Sequence, residues 1–312
     1  MSIGFALGLV FGCSSGADDD PTNSDVGGGT STGGLSSVTS GGVGGNGSGG
    51  TRSSEGGATE SLLGGSGGAS TTVTTVLLPK ENGNFDYQIG AAYPPPSGVE
   101  VISRDRNSAP SPSVYNVCYV NGFQVQPDEE TFFLTEHPEL LLRDDAGNPV
   151  IDEDWQEMLL DTSTEAKRSA IAAVVGSWIT GCKVSGFDAV EIDNLDSYSR
   201  SGGRLEEADN VSQMALFSAL AHSAGLAIAQ KNSSELLDRA TSMGTDFAVV
   251  EECNRYDECD AYRSVYGNRV FVIEYRVEDF RLGCANFPEL GIVLRDRNVT
   301  APGSASYVFD GC

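Results

Sequence analysis

The sequence predicts an α/β protein: a (β/α)8 TIM-like barrel with an extra N-terminal strand or lid segment, preceded by a disordered linker. Two observations predict this fold. From residue 98 onward, short apolar runs alternate with amphipathic helical patterns, which indicates parallel β/α units. Eight such runs fall within about 215 residues, and this density favours a closed barrel over an open sheet.

The first 75 residues differ in composition from the rest. Residues 1–13 contain an apolar run that is too short to span a bilayer and is typical of a secretory signal, and Cys13 ends it as in a bacterial lipobox. Residues 14–75 are rich in Gly, Ser and Thr, which predicts the disordered linker. We therefore expect a protein that is secreted or held at the outer cell surface. It would touch a membrane only through a lipid anchor at Cys13, and a simple cleaved signal is the alternative.

The folded domain is predicted to span residues 76–312. The apolar stripe of residues 164–182 predicts a helix with a capping box at Thr162 and Glu165, and Gly186 lies beyond its end. Further helices are predicted at 206–224, 234–242 and 257–266. Residues 85–90 would be the extra strand or lid. The eight barrel strands are predicted at 99–103, 115–120, 157–160, 188–192, 226–230, 246–250, 270–275 and 291–294.

Six cysteines remain after Cys13, and an even number in an exported chain indicates disulfides. Cys253 is close to Cys259 in sequence, Cys284 could reach Cys312, and Cys118 with Cys182 is the pair that remains. The chain has no CxxC pair and its two histidines lie far apart, so we expect no structural zinc. We expect no other metal and no cofactor.

The acidic charge belongs to the folded part. Residues 76–312 contain 38 Asp and Glu against 18 Lys and Arg, a formal charge of −20. Such a surface disfavours nucleic acid and anionic membranes and favours a cationic ligand, although solubility alone can also explain it. We expect a monomer.

Polar side chains follow almost every predicted strand. Because the active site of such a barrel forms at the carboxyl ends of its strands, this repetition predicts a site there. Neither His137 nor His222 lies at a strand end and no GxSxG elbow exists, which argues against serine hydrolysis. Pairs of carboxyl groups facing one pocket are instead the machinery of glycoside hydrolysis. The rim residues are Arg104, Asp105, Asn121, Asp161, Asp193, Asn194, Lys231, Asn232, Glu251, Glu252, Glu274, Tyr275, Arg295 and Asp296.

Six tracts, in the same order as the predicted strands, resemble the endo-α-1,4-polygalactosaminidases of glycoside hydrolase family 114: FDYQIGAAYPPP, YNVCYVNGFQ, GFDAVEIDNLDSY, AQKN, FAVVEECNRYDECDAY and FVIEY. The resemblance covers about residues 84–280. It implies a (β/α)8 barrel that cleaves α-1,4-linked galactosamine polymers, which are polycationic when deacetylated. It places the paired catalytic acids on Asp193 and Glu251. Family sequences often have Asn-Glu-Gln-Cys where this chain has residues 250–253 as Val-Glu-Glu-Cys, so either Glu251 or Glu252 could face the substrate.

The residues themselves indicate similar roles. Glu191 and Asp193 share one face of their strand, with Asp193 nearer the rim, so Asp193 is the expected nucleophile or water-activating base. Glu251 is the expected proton donor, which requires a raised pKa. Lys231 and Asn194 would hold and orient Asp193, or Lys231 would merely neutralise an acidic rim.

Substrate binding is predicted for a further group of side chains. The acidic ones would bind sugar hydroxyls or ammonium groups, or else form local salt bridges with Arg104, Arg276 or Arg295. Tyr87 and Tyr119 would stack on sugar rings, or else belong to the core. The full predicted set is Tyr87, Asp105, Tyr119, Glu191, Asn194, Asp196, Lys231, Glu252, Glu274 and Tyr275.

Three functions therefore compete. The first is a glycoside hydrolase acting on a galactosamine-rich polysaccharide. The second is a non-catalytic carbohydrate-binding surface protein on the same barrel. The third is a hydrolase of another polysaccharide or an exo-acting enzyme, with the loop at 147–157 shaping its subsites. Both retaining and inverting mechanisms remain open.

Overall fold

The structure, a computed structural model, describes residues 76–312. The predictions for residues 1–75, namely the signal segment, the lipid anchor at Cys13 and the linker, lie outside the described residues. Among the described residues, no helix is both long enough and apolar enough to cross a membrane.

Eight parallel strands form a nearly closed barrel. In spatial order they are β1 (Phe85–Gln88), β2 (Val101–Asp105), β3 (Tyr115–Asn121), β7 (Ala189–Asp193), β8 (Ala227–Lys231), β9 (Phe247–Glu251), β10 (Val270–Glu274) and β11 (Gly291–Arg295). A ninth strand, β12 (Phe309–Gly311), adds to β11 in antiparallel orientation. Each of the eight parallel strands is buried at every residue or at all but one end residue, as expected where helices cover the outside of a parallel barrel.

The prediction of eight barrel strands is confirmed, but one of the segments predicted to form them was wrong. The segment 85–90 is not an addition to the barrel, because β1 pairs in parallel with β2 and is the first barrel strand. The predicted strand at 157–160 lies instead in a separate antiparallel sheet, where β6 (Glu157–Leu159) pairs with β4 (Gln124–Val125) and β5 (Ile151–Asp152). Its apolar residues cover the barrel rather than build it.

The helices cover the outside of the barrel. They are α1 (Glu130–Glu136), α2 (Glu165–Ser185), α3 (Glu207–Ala224), α4 (Ala240–Met243), α5 (Cys259–Tyr266) and α6 (Val277–Asn286), with short 3-10 helices at Pro138–Leu140, Ser197–Arg200 and Ser234–Arg239. α2 ends at Gly186 as predicted, but its N-cap is Thr164 rather than Thr162, since the Thr164 side chain accepts from the backbone N–H of Lys167. All three predicted disulfides are present: Cys118–Cys182, Cys253–Cys259 and Cys284–Cys312.

The seam of the barrel lies between β1 and β11, which are neighbours without a hydrogen-bonded ladder among the described residues. A fully buried ion pair bridges it, with Arg295 Nη1 2.9 Å from Asp86 Oδ1. Close packing also requires a glycine here, because a Cβ on Gly291 would lie 2.4 Å from the carbonyl oxygen of Gly83.

Candidate active site

A cavity of about 430 Å³ opens at the carboxyl ends of the barrel strands. Alternation along the strands decides which side chains reach it, because every second residue points inward. Apolar residues at the inward positions fill the barrel below the cavity, among them Val117, Ala229, Val249 and Ile273. Polar residues replace them at the last inward position of each strand. The lining includes Tyr87, Asp105, Tyr119, Glu157, Asp193, Asn194, Asp196, Arg200, Lys231, Asn232, Glu251, Tyr275 and Arg297.

Lys231 is the centre of the cavity floor. Its side chain is only 2% exposed, and its Nζ lies 2.9 Å from Glu251 Oε2, 3.3 Å from Asp193 Oδ1 and 3.6 Å from Glu191 Oε1. Burial alone would lower the pKa of this ammonium, but the three carboxylates outweigh it and hold the pKa well above its ordinary value. Lys231 therefore holds three acids from two strands in place. This is a more specific role than the alternative, in which it merely neutralises acidic residues at the rim.

Asp193 and Glu251 are each held by a tyrosine as well. The Tyr119 hydroxyl donates to Asp193 Oδ2 at 2.7 Å, and the Tyr275 hydroxyl donates to Glu251 Oε1. Because Lys231 Nζ is 3.3 Å from one carboxylate oxygen and 2.9 Å from the other, those two oxygens are at most about 6.2 Å apart, the sum of the two distances. The two acids thus face the same small volume.

Asn232 also holds Glu251 in place, through two hydrogen bonds that the sequence did not indicate. Asn232 follows β8 with a left-handed backbone (φ 48°) that an asparagine tolerates, and this turn aims its amide at Glu251. Its Nδ2 donates to Glu251 Oε2 at 3.1 Å, and its Oδ1 accepts from the Glu251 backbone N–H at 2.8 Å.

The pKa of Glu251 is the opposite of what a resting proton donor requires. Burial alone would raise it, but the charge of Lys231 and the hydrogen bonds from Tyr275, Lys231 and Asn232 outweigh burial and lower the pKa of Glu251 to about 2. The expectation of a raised value was therefore wrong for the free site. It omitted the ammonium of Lys231, which contacts both acids.

Glu191 lies beneath the cavity rather than on its wall. Its carboxylate accepts from Tyr87 Oη at 2.9 Å and from Ser103 Oγ at 2.6 Å, and it is fully buried. Burial is the main reason that its pKa is raised to about 7, against the opposing charge of Lys231. Its position is suited to supporting Lys231, not to contacting a ligand. Tyr87 and Tyr119 are themselves almost fully buried, and both use their hydroxyls to bind carboxylates.

Two predicted substrate-binding acids are directed away from the cavity. Glu274 occupies an outward position of β10, where its Oε1 accepts from the backbone N–H of Asn254 at 2.9 Å. Glu252 has a left-handed backbone (φ 57°) and pairs with Arg255 at 2.7 Å and Arg297 at 2.9 Å. Strand alternation accounts for Glu274, whereas Glu252 follows the end of β9, where its left-handed backbone and its two arginine partners hold it away from the cavity. Of the two glutamates left open by the sequence, Glu251 is the one that faces the cavity.

Asp105, Asn194 and Asp196 line the cavity as predicted, but the partner of Asp196 differs. Its carboxylate pairs with Arg200 at 2.6 Å, and not with Arg104, Arg276 or Arg295. Their role in binding substrate stays a prediction.

Several residues that line the cavity were given no role in the site from the sequence, among them Trp155, Glu157 and Asn232. Trp155 is 69% exposed at the mouth, and Glu157 accepts from Asn121 Nδ2 at 3.0 Å. Burial, with a contribution from the charge of Asp193, raises the pKa of Glu157 to about 7. Both Trp155 and Glu157 lie in segment 147–157, the loop that was expected to shape subsites. Glu157 was also predicted to be the first residue of a barrel strand at 157–160. Asn232 was noted at the rim and not carried further.

Within residues 76–312, no group of three or more His, Cys, Asp or Glu side chains is arranged to hold a metal ion. The ammonium of Lys231 occupies the place among the carboxylates that a cation would otherwise take.

Known proteins with this fold include carbohydrate-active ones. The structure of Aspergillus fumigatus Ega3 in complex with galactosamine superposes with a TM-score of 0.61 at 20% identity, covering 77% of this chain and 100% of that one. The glycoside hydrolase domain of PelA from Pseudomonas aeruginosa gives a TM-score of 0.49 at 13% identity, covering 72% and 98%. Among curated protein sequences, none is significantly similar to this chain.

A family model covers almost all of the described domain. The model of glycoside-hydrolase family GH114 matches residues 67–311, which is well over half of the chain. The family named by the resemblance of the six tracts is thus confirmed, and so is the barrel fold, which Ega3 shares. With two carboxylates facing one cavity at the carboxyl ends of the strands, the chain belongs to glycoside hydrolase family GH114 and is a glycoside hydrolase.

Proposed function

We propose that this glycoside hydrolase cleaves α-1,4-linked, galactosamine-rich polysaccharide, with Asp193 and Glu251 as the reacting carboxyl groups. The observation that carries the proposal is that both acids form salt bridges with one buried ammonium, that of Lys231, on the cavity floor. The galactosamine bound in the Ega3 structure supports the choice of sugar. The formal charge of −20 on residues 76–312 supports a cationic polymer.

The spacing favours a retaining mechanism. Retaining enzymes hold their two carboxyl groups about 5–5.5 Å apart, whereas inverting enzymes leave about 6.5–9.5 Å for a water molecule. The nearest oxygens of Asp193 and Glu251 are within about 6.2 Å, the sum of 3.3 and 2.9 Å. Asp193 attacks the anomeric carbon, and the bond to the leaving oxygen breaks as Glu251 protonates that oxygen. Glu251 then removes a proton from water, which releases the sugar from Asp193.

Glu251 must acquire its proton before the first step, because its low pKa keeps it ionised in the free site at neutral pH. A bound sugar ring covers the cavity and excludes water, which strengthens the burial that already opposes ionisation. Glu251 therefore takes up a proton as the substrate binds. The pKa seen in the pH dependence of kcat, which reports the complex, then lies above that seen in kcat/KM, which reports the free enzyme.

The proposed reaction is tested with partly deacetylated α-1,4-galactosaminan and the full chain, following reducing ends and product sizes. The variants are Asp193→Asn and Glu251→Gln, and Glu252→Gln is the matched control because it removes the adjacent carboxylate that is directed away from the cavity. We expect short oligosaccharides from the wild type and the control, and almost none from the two site variants. Binding without cleavage by every protein would instead identify a carbohydrate-binding protein. No binding by any would refute the proposed substrate.

We also propose that the protein is exported and acts as a monomer outside the cytoplasm, free or held by a lipid on Cys13. Three disulfides support an oxidising compartment. Mass spectrometry of the protein from its native host tests the lipid, since an unmodified chain cleaved elsewhere would contradict it.

A further inference from the structure

A second cavity, of about 450 Å³, lies beside the active site. Two chain segments contribute to both cavities. Asp105 lines the active site, and the next residue, Arg106, lines the second cavity. Likewise, Gln126 lines the active site and Asp128 lines the second cavity. Successive Cα atoms are about 3.8 Å apart, so the two cavities share a wall. The remaining lining residues are Asn107, Glu129, Phe132 and Trp178.

Glu129 lines this second cavity and has a buried carboxylate oxygen without a partner in residues 76–312. The side chain is 5% exposed, and its Oε1 is bound by Arg106, but its Oε2 has no hydrogen-bond partner among the described residues. An unsatisfied buried acceptor is unfavourable, so a ligand that donates a hydrogen bond to it is favoured. Arg106 cannot turn away to release the other oxygen easily, because its guanidinium lies 4.2 Å above the ring of Trp178.

The other lining groups narrow the class of ligand. Asp128 is exposed and lies on the same side as Glu129, which disfavours an anion and favours a cation or a hydroxyl donor. Phe132 is 39% exposed and offers an apolar face of the kind on which a sugar ring packs. Burial first, and the charge of Asp128 in addition, raise the pKa of Asp105, so the acids of the two cavities are close enough to interact.

We propose that the second cavity is an accessory subsite that binds an amino-sugar unit of the same polymer, outside the units that react. Glu129 and Asp128 accept hydrogen bonds from its ammonium or hydroxyl groups, and Phe132 packs against its ring. This inference rests on the proposed function, since it takes the polymer held between Asp193 and Glu251 to be rich in galactosamine. The subsite matters only for a chain long enough to occupy both cavities.

The test compares long α-1,4-galactosaminan with the shortest oligosaccharide that the wild type cleaves. Asp128→Asn and Phe132→Ala change exposed side chains and should leave folding intact. Glu130→Gln is the matched control, because it removes one acidic charge from the neighbouring position without lining the cavity. We expect KM for the long polymer to rise about tenfold in each variant, through the loss of a charge-assisted hydrogen bond in Asp128→Asn and of ring packing in Phe132→Ala. We expect kcat, and both constants for the short substrate, to stay unchanged.

The outcomes separate this inference from the proposed function. If the wild type cleaves galactosaminan but the subsite variants keep its KM for the long polymer, the accessory subsite is refuted and the proposed function stands. The same holds if KM rises equally for long and short substrates, because the effect would then arise in the active site. If the wild type does not cleave galactosaminan, both are refuted.

Discussion

Replacing Lys231 with methionine should destabilise the protein and reverse the contribution of Glu251 to the pH dependence of stability. Methionine fills a similar volume but removes the ammonium that lies within 2.9–3.6 Å of three carboxylates. Removing one partner of a buried ion pair costs about 3–5 kcal/mol, because the remaining charge is left buried and unpaired. We expect the variant to be destabilised by about that amount at pH 7.

The sign of the pH effect follows from Glu251. In the wild type its pKa is lowered to about 2 from 4.5. A carboxylate with a depressed pKa contributes stability that is present above the unfolded value and is lost as the pH falls through the folded value. The loss between pH 4.5 and pH 2 is about 3 kcal/mol, at 1.36 kcal/mol for each pKa unit. Without Lys231, burial acts unopposed by that cation and raises the pKa of Glu251, so the variant gains stability as the pH falls toward 4.5.

Urea unfolding of the full chain between pH 3 and pH 8, followed by circular dichroism, measures both effects. Lys183→Met, which removes an exposed ammonium on α2, is the matched control and should keep the slope of the wild type. A Lys231→Met variant with the slope of the wild type would refute the view that this ammonium governs the carboxylates.

Three further substitutions test other parts of the account. Tyr275→Phe removes a hydrogen bond that lowers the pKa of Glu251, so the limb of the pH–rate profile governed by Glu251 should move up by about one pH unit; an unmoved limb would contradict this. Asp86→Asn leaves Arg295 buried and unpaired at the barrel seam, and should lower the free energy of unfolding, measured in urea, by about 3–5 kcal/mol. The control is the Asp86→Asn, Arg295→Met double variant, in which neither charge remains. Glu157→Gln removes a half-buried carboxyl whose pKa is raised to about 7, a group that favours folding when protonated and loses that contribution as the pH rises through 7. The variant should therefore be more stable than the wild type by about 1–2 kcal/mol at pH 8 and equal to it at pH 5, and an equal pH profile would count against a buried, protonated Glu157.

Much of the site could be predicted because strand alternation is a short-range rule. Asp193 and Glu251 occupy the last inward positions of their strands, and both reach the cavity. The same rule, applied to Glu274, would have excluded it, since it is out of phase with an inward neighbour. The predicted set included Glu274 and Glu252 only because they are acidic and lie near strand ends.

The remaining errors concern long-range pairing, which no local pattern encodes. The apolar run at 157–160 has the composition of a barrel strand, and only its pairing with β4 and β5 places it in the covering sheet. For the same reason Glu157 reaches the cavity from outside the barrel. The pKa of Glu251 depends on Lys231 and Tyr275, which come from β8 and from the residue after β10, so its direction could not be read from the VEEC tract alone.

The central claim is that Asp193 and Glu251, held within reach of one ammonium, are the reacting pair. The most direct test is the anomeric configuration of the first product from α-1,4-galactosaminan, followed by proton NMR before mutarotation. The account predicts the α anomer first, since a retaining reaction is the one that this close pair of carboxyl groups favours. The β anomer first would contradict it, because inversion would require water, and not Asp193, to attack the anomeric carbon.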